Sequence, residues 1–99
     1  MTRLYEAMFL VDNGLVREDW KGLKGAVAAV LEKHGAQVQT ARRWDERRLA
    51  YPISGRQRAT YLLVHFLTDT QAIAPLRRDL ELSEKVLRYL IKSADAVPD

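Results

Sequence analysis

The stretch ATYLLVHFL, residues 59–67, decides the fold because its side chains alternate between two different sets. One side of an extended chain carries only apolar residues: Leu62, Val64 and Phe66. The other side carries a mixed set: Tyr61, Leu63 and His65. This period of two is typical of a half-buried strand. We therefore predict a strand over residues 57–68 with one core face and one open face.

The flanking sequence predicts five further elements around this strand. Strands are predicted over residues 3–11, 36–48 and 85–92, and helices over residues 16–34 and 69–81. Gly35 suits the left-handed position just past the first helix, and Asp69 or Thr70 can cap the second. Since proline removes a backbone donor, Pro75 either kinks the second helix or delays its regular start to about Ala74.

The resulting order, βαββαβ, predicts a ferredoxin-like α+β sandwich. Right-handed crossovers in both halves give a four-stranded antiparallel sheet of order 4-1-3-2 with both helices on one face. The second strand is then a sheet edge. We predict one domain over residues 1–93 and a flexible C-terminal tail over residues 94–99, because the last residues are small, polar and acidic.

Periodicity also assigns the two faces of the sheet. The first helix turns one apolar face inward: Val16, Trp20, Leu23, Val27, Val30 and Leu31. The last strand is expected to face the helices with Leu87, Tyr89 and Ile91. The open face is predicted to carry Glu6, Met8, Tyr61, Leu63, His65 and Arg88. This face is too apolar for a purely solvated surface, which favours a partner, and Glu6 and Arg88 are predicted to form a cross-strand ion pair.

Composition excludes several classes of protein. The chain has 99 residues and no cysteine, so it has one core, no disulfide, no thiolate metal site and no cysteine nucleophile. No apolar run approaches the length of a membrane span, and we expect no membrane partner, no cofactor and no metal. His34 and His65 lack ligands at metal-binding spacing and are assigned structural roles.

The positive charge is concentrated in one segment. The net charge is +3, yet residues 42–58 alone carry +4, because six arginines outnumber Asp45 and Glu46. The arginines are Arg42, Arg43, Arg47, Arg48, Arg56 and Arg58. Arginine suits bidentate phosphate contacts, and a localised basic patch is the electrostatic footprint of nucleic-acid binding. A solvated charged hairpin is the alternative.

The layout also hosts small enzymes, so the fold alone does not decide the function. An acylphosphatase-like site needs an asparagine on the third strand, and none is present there. We find no catalytic constellation and expect no small-molecule substrate. A small ferredoxin-like enzyme or ligand-binding dimer, acylphosphatase-like or oxygenase-like, stays the alternative.

Four short motifs carry a resemblance to a known family. Tyr5-Glu6 opens the first strand, RRLAYPI occupies residues 47–53, Tyr61 follows, and Val86-Leu87-Arg88 begins the last strand. In order and spacing, over residues 3–92, the chain resembles the bacterial small ribosomal subunit protein six family.

The resemblance implies a non-enzymatic, structural constituent of the small ribosomal subunit, located in the cytoplasm on the ribosome. It implies binding to the central domain of small-subunit ribosomal RNA together with small-subunit protein eighteen. We predict that the six arginines contact phosphates and that protein eighteen docks at the end of the second strand, on Leu49, Tyr51, Pro52 and Ile53. The alternative for Leu49, Tyr51 and Ile53 is that they fold back onto the core.

Overall fold

The secondary structure follows the predicted order. The computed structural model describes the backbone of residues 1–53 and 56–94 and the side chains of residues 1–43 and 58–94. The elements are β1 (Thr2–Asp12), α1 (Asn13–Lys33), β2 (Gln37–Ile53), β3 (Arg56–Asp69), a 3-10 turn (Thr70–Ala72), α2 (Ile73–Leu82) and β4 (Val86–Ser93).

The strands form one antiparallel sheet in the order β2-β3-β1-β4. This is the predicted order 4-1-3-2 read from its other end, so the ferredoxin-like fold is confirmed. β1 and β3 lie at the centre and pair without interruption from Thr2 opposite Asp69 to Asp12 opposite Ala59. β2 and β4 are the two edges of the sheet.

The hydrophobic core lies between the sheet and the helices, as the alternation predicted. The central strands contribute six buried side chains: Ala7, Phe9, Val11, Leu62, Val64 and Phe66. The helices cover them with Val16, Leu23, Val27, Leu31, Leu76 and Leu80. Burying a side chain the size of leucine or phenylalanine is worth about 1.5–3 kcal/mol. The core cluster is therefore the main stabilising element of the fold.

The first helix is divided at Asp19, whose backbone angles (φ −157°, ψ 81°) are not helical. The Asp19 carboxylate accepts a hydrogen bond from the Gly22 N–H at 2.9 Å. This is the geometry of an N-cap, so a second helical segment begins directly after Asp19. Downstream, Gly35 has φ 85° and ends the helix in the left-handed conformation, as predicted.

The first helix begins at Asn13, three residues before its predicted start at residue 16. Asn13 is buried, and its side-chain oxygen accepts a hydrogen bond from the Thr60 hydroxyl at 2.8 Å. Two buried polar groups thereby satisfy each other and tie the start of α1 to β3.

Pro75 is accommodated by a delayed start of the helix, one of the two alternatives that the sequence left open. The Gln71 N–H donates to the Asp69 side chain at 2.9 Å and begins the 3-10 turn. α2 starts only at Ile73, so Pro75 lies in its first turn. Backbone N–H groups in the first turn of a helix have no intrahelical partner, so a proline there removes no hydrogen bond from the helix.

Both edge strands depart from the predicted regularity. β2 extends to Ile53, so residues 49–53 continue the strand rather than forming a connection, and residues 54–55 lie outside the described residues. Its pairing with β3 shifts after Val38, Arg43 and Arg48. Bulges of this kind are common at sheet edges, which tolerate Pro52.

β4 contains one extra residue opposite β1. Leu10 pairs with Arg88 while Val11 pairs with Val86, which leaves Leu87 between them. As a result Val86, not Leu87, fills the buried core position, and Ile91 is buried as predicted. The Ala94 N–H donates to the Leu4 carbonyl at 2.9 Å, so β4's contact with β1 continues into the predicted tail. Residues 95–99 of that tail lie outside the described residues.

Candidate nucleic-acid interface

A polar row crosses the open face of the sheet, with one residue from each strand. His65 Nδ1 lies 3.1 Å from Thr40 Oγ1, and His65 Nε2 lies 3.4 Å from Glu6 Oε1. The other carboxylate oxygen of Glu6 lies 3.2 Å from Lys92 Nζ. Only 1% of the His65 side chain is exposed. The two central members, His65 and Glu6, are therefore contacted from both sides.

The predicted ion pair between Glu6 and Arg88 is wrong. The register places Glu6 opposite Lys92 and Arg88 opposite Leu10. Alternation fixes the face on which a strand residue lies, but it does not fix the residue across from it. Lys92 therefore takes the role expected of Arg88.

Two further rows complete the open face. The middle row contains Arg42, Leu63, Met8 and Leu90 in the order β2, β3, β1 and β4. Met8 and Leu63 are half-buried, and Leu90 is 62% exposed. The next row contains Tyr61, Leu10 and Arg88. The six residues predicted for this face thus share it, and their role toward a partner stays a prediction.

The described arginines of the basic segment divide between the two faces. Arg42 lies opposite Leu63 on the open face, and its neighbour Arg43 lies opposite Leu62 on the helix side. Arg42, Arg43 and Arg58 are exposed. The side chains of Arg47, Arg48 and Arg56 lie outside the described residues. The basic segment therefore follows β2 and the start of β3 at one edge of the sheet.

Trp20, predicted to belong to the core, has a second environment. It packs against the core and stays half-buried. Arg43 Cζ lies 5.8 Å from the centroid of its ring, and Lys24 Nζ lies 5.9 Å from it. These are cation–π distances, so the contact of Trp20 with Arg43 links α1 to the basic segment on β2.

The predicted partner site, Leu49, Tyr51, Pro52 and Ile53, lies on the last residues of β2. Ile53 pairs with Arg56 in the sheet. The side chains of all four lie outside the described residues. Their place at a sheet edge is established, and their contacts stay a prediction.

An open groove between α2 and β4 has a phenol in its wall. The groove, of about 360 Å³, is lined in part by Leu80, Val86 and Tyr89. The Tyr89 hydroxyl donates to Glu81 at 2.9 Å. Burial raises the pKa of Tyr89, and the bond to Glu81 raises it further against the opposing effect of Arg77. A phenol held protonated in this way is a poor nucleophile or base.

His34 and Asp79 join the two helices. His34 Nε2 lies 2.6 Å from Asp79 Oδ2, and Lys33 Nζ lies 3.2 Å from the same oxygen. The hydrogen bond from His34, followed by that from Lys33, lowers the pKa of Asp79 below its ordinary value. Asp79 therefore accepts hydrogen bonds from both side chains at the end of α1.

Among residues 1–43 and 58–94, no group of three or more histidine and acidic side chains is placed to hold a metal ion. In the described part of the chain no helix is long and apolar enough to cross a membrane.

Comparison with known proteins decides the family. The sequence model of the family described as Ribosomal protein S6 matches residues 4–92. The chain belongs to the ribosomal protein S6 family. The resemblance seen in the sequence is confirmed.

Curated relatives of this S6-family chain span most of its length. It is 32% identical over 93 residues to small ribosomal subunit protein bS6 of Fusobacterium nucleatum, a match that covers 94% of this chain and 99% of the relative. It is 37% identical over 87 residues to small ribosomal subunit protein bS6 of Campylobacter jejuni, a match that covers 88% of this chain and 70% of the relative.

A solved structure supports the fold. The crystal structure of 30S ribosomal protein S6 from Thermotoga maritima superposes with a TM-score of 0.79 at 21% identity, covering 95% of this chain and 89% of that one.

The basic segment of this S6-family chain was predicted from the sequence. Two features were not predicted: the contact of Lys24 with Trp20, and the polar row on the open face. Lys24 follows Trp20 by four residues, a spacing that puts both on one side of a helix and could have identified the pair. Thr40 and Lys92 in the polar row carry no such local signal, because only the register brings them to His65 and Glu6.

Proposed function

We propose that the chain is a non-enzymatic structural constituent of the small ribosomal subunit. In this proposal it binds the central domain of small-subunit ribosomal RNA together with small-subunit protein eighteen. The observation that carries the proposal is the concentration of six arginines along β2 and the start of β3, in a chain whose family model covers residues 4–92.

The position of the arginines supports RNA as the partner. An edge strand leaves its side chains reachable from both faces and from the side, and Arg42 and Arg43 are exposed on opposite faces. A phosphate backbone that follows this edge can meet guanidinium groups on either face. Guanidinium forks bind phosphate oxygens in pairs, which favours arginine over lysine here.

Strand pairing supports protein eighteen at the far end of β2. An unpaired strand edge offers backbone donors and acceptors that another chain can use. Residues 49–53 lie on this edge and contain four hydrophobic residues, which suit the buried centre of a protein interface: Leu49, Ala50, Tyr51 and Ile53.

The salt dependence of RNA binding tests the proposal. We expect the binding constant for a central-domain RNA fragment, measured with protein eighteen present, to fall with salt in proportion to the number of phosphate contacts. Replacing Arg47 and Arg48 together by glutamine should reduce the logarithmic slope by about 1.4–1.8. The matched control is Arg77→Gln with Arg78→Gln, which removes the same charge from α2.

An unchanged slope in the Arg47 and Arg48 double variant would contradict the assignment of phosphate contacts to these arginines. A chain that does not copurify with small ribosomal subunits at high magnesium would contradict the proposal as a whole.

A further inference from the structure

We propose that Trp20, Lys24 and Arg43 form an RNA subsite on the helix side of the sheet edge, which takes an unpaired nucleotide. The inference rests on the proposed function and deepens it, because it extends the basic segment from Arg43 onto two residues of α1. Trp20 and Lys24 come from α1, and Arg43 comes from β2.

The first support is the convergence of two cations on one ring. Arg43 Cζ and Lys24 Nζ both lie within 6 Å of the Trp20 centroid. Each cation is attracted by the π-electrons of the indole, so two positive charges are held around one aromatic side chain. An anion that binds beside the ring can meet both of them.

The second support is the absence of a competing acid. Among the side chains of residues 1–43 and 58–94, no carboxylate forms an ion pair with Lys24 or Arg43. The nearby Asp19 carboxylate is engaged as the helix cap through the Gly22 N–H. Within the described side chains, the two cations thus contact the ring and no carboxylate.

The third support is the local backbone. The β2–β3 register shifts directly after Arg43, and bulges of this kind redirect neighbouring side chains. Arg43 is exposed although its register position faces the helix side, so it reaches past the core to α1. Arg42 stays on the open face, and the edge strand thereby joins the subsite to the basic segment.

The chemistry favours RNA over an acidic peptide. The guanidinium of Arg43 can stack on a base, while the ammonium of Lys24 binds the adjacent phosphate. Contact with Trp20 restricts two otherwise flexible side chains before RNA arrives, which reduces the entropy lost on binding. Single strands are bound by this combination of aromatic and positive groups.

Tryptophan fluorescence tests the subsite with a defined probe. The chain has two tryptophans, so Trp44→Phe leaves Trp20 as the reporter. We expect a short single-stranded oligouridylate to quench Trp20. Lys24→Gln and Arg43→Gln should each lower the logarithmic salt slope by about 0.7. The control Lys85→Gln removes a lysine from the connection between α2 and β4 and should leave the slope unchanged.

Several results would overturn the subsite. One is no quenching of Trp20 by the oligouridylate. Another is a logarithmic salt slope that is unchanged in Lys24→Gln or in Arg43→Gln. If Arg43→Gln lowers the free energy of unfolding and leaves the slope unchanged, Arg43 has a structural role only. Quenching by protein eighteen without RNA would assign the surface to a protein instead.

The proposed function is tested separately with the central-domain fragment. If Lys24→Gln affects neither ligand while the fragment still binds, the subsite fails and the proposed function stands. If the oligouridylate quenches Trp20 but the fragment and protein eighteen form no complex, the proposed function fails and the subsite stands.

Discussion

Glu6 lies on the open face, as alternation predicts, but its ion-pair partner is not the predicted one. It lies among Leu4, Met8 and Leu10 on the open face and contacts two cationic or polar groups, His65 at 3.4 Å and Lys92 at 3.2 Å. With a quarter of its side chain exposed, Glu6 is partly shielded from water, whereas Lys92 is largely exposed. The pair therefore contributes modestly to stability and chiefly favours one register of β4 against β1.

A double-mutant cycle measures this pair. We expect Glu6→Gln and Lys92→Gln to show a coupling of about 0.3–1 kcal/mol in the free energy of unfolding. The matched cycle of Glu6→Gln with Arg88→Gln should give a coupling near zero, because Arg88 lies opposite Leu10. Equal couplings in the two cycles would contradict the register.

At the scale of the element, the break in α1 gives two glycines different roles. Gly22 lies three residues after Asp19 and donates to its carboxylate, and a Cβ there would overlap that carboxylate. Gly25 has open space around its Cα. The two glycines therefore have different local roles.

Alanine substitution separates these roles. Gly25→Ala should stabilise the fold by about 0.5–1 kcal/mol, since alanine is the better helix former. Gly22→Ala gains the same propensity but displaces a cap worth about 0.5–2 kcal/mol, so we expect no net gain. In an Asp19→Ala background the two substitutions should become equivalent in chemical denaturation, and a persistent difference would exclude the cap as its cause.

The contact between α1 and α2 is sensitive to acid through Asp79. Hydrogen bonds from His34 and Lys33 lower the pKa of Asp79 in the folded state. A lowered folded pKa gives stability that is present above the unfolded value of 3.8 and is lost as the pH falls through the folded value.

We therefore expect the free energy of unfolding to decrease as the pH falls below about 4, and Asp79→Asn to remove part of that decrease. Glu84→Gln removes an exposed carboxylate from the connection between α2 and β4 and serves as the control. A pH profile of Asp79→Asn that matches the profile of the unmodified chain would contradict this role of Asp79.

At the scale of the whole molecule, the two sheet edges differ. The β2 edge carries the basic segment and the predicted partner residues, while the β4 edge carries the exposed Leu90. Partner binding and folding should therefore be separable by substitutions at the end of β2.

Tyr51→Ala tests that separation. We expect binding of protein eighteen to weaken about 30-fold, the effect of losing about 2 kcal/mol at a buried interface tyrosine, with little change in Tm. Leu90→Ala on the opposite edge is the control and should leave this binding unchanged. A large drop in Tm for Tyr51→Ala in the free protein would place the side chain in the core instead.

The sequence predicted the fold because each element repeats a local signal. The alternation in residues 59–67 and the apolar face of α1 are properties of neighbouring residues, and both are confirmed. Register is a property of two distant segments, which is why the partner of Glu6 and the extra residue at Leu87 were missed. The basic segment was visible in composition, but the division of Arg42 and Arg43 between two faces depends on their pairing with β3.

The interrupted ladder of β2 also bears on self-association. A regular edge of 17 residues would be a template for a second copy of the sheet and for ordered aggregation. Three register shifts divide this edge into short segments of different twist. A second copy of β2 cannot pair in register across all three shifts. The irregular edge therefore disfavours fibril-like stacking of this long strand. Short segments of the edge can still pair with a chain of complementary shape.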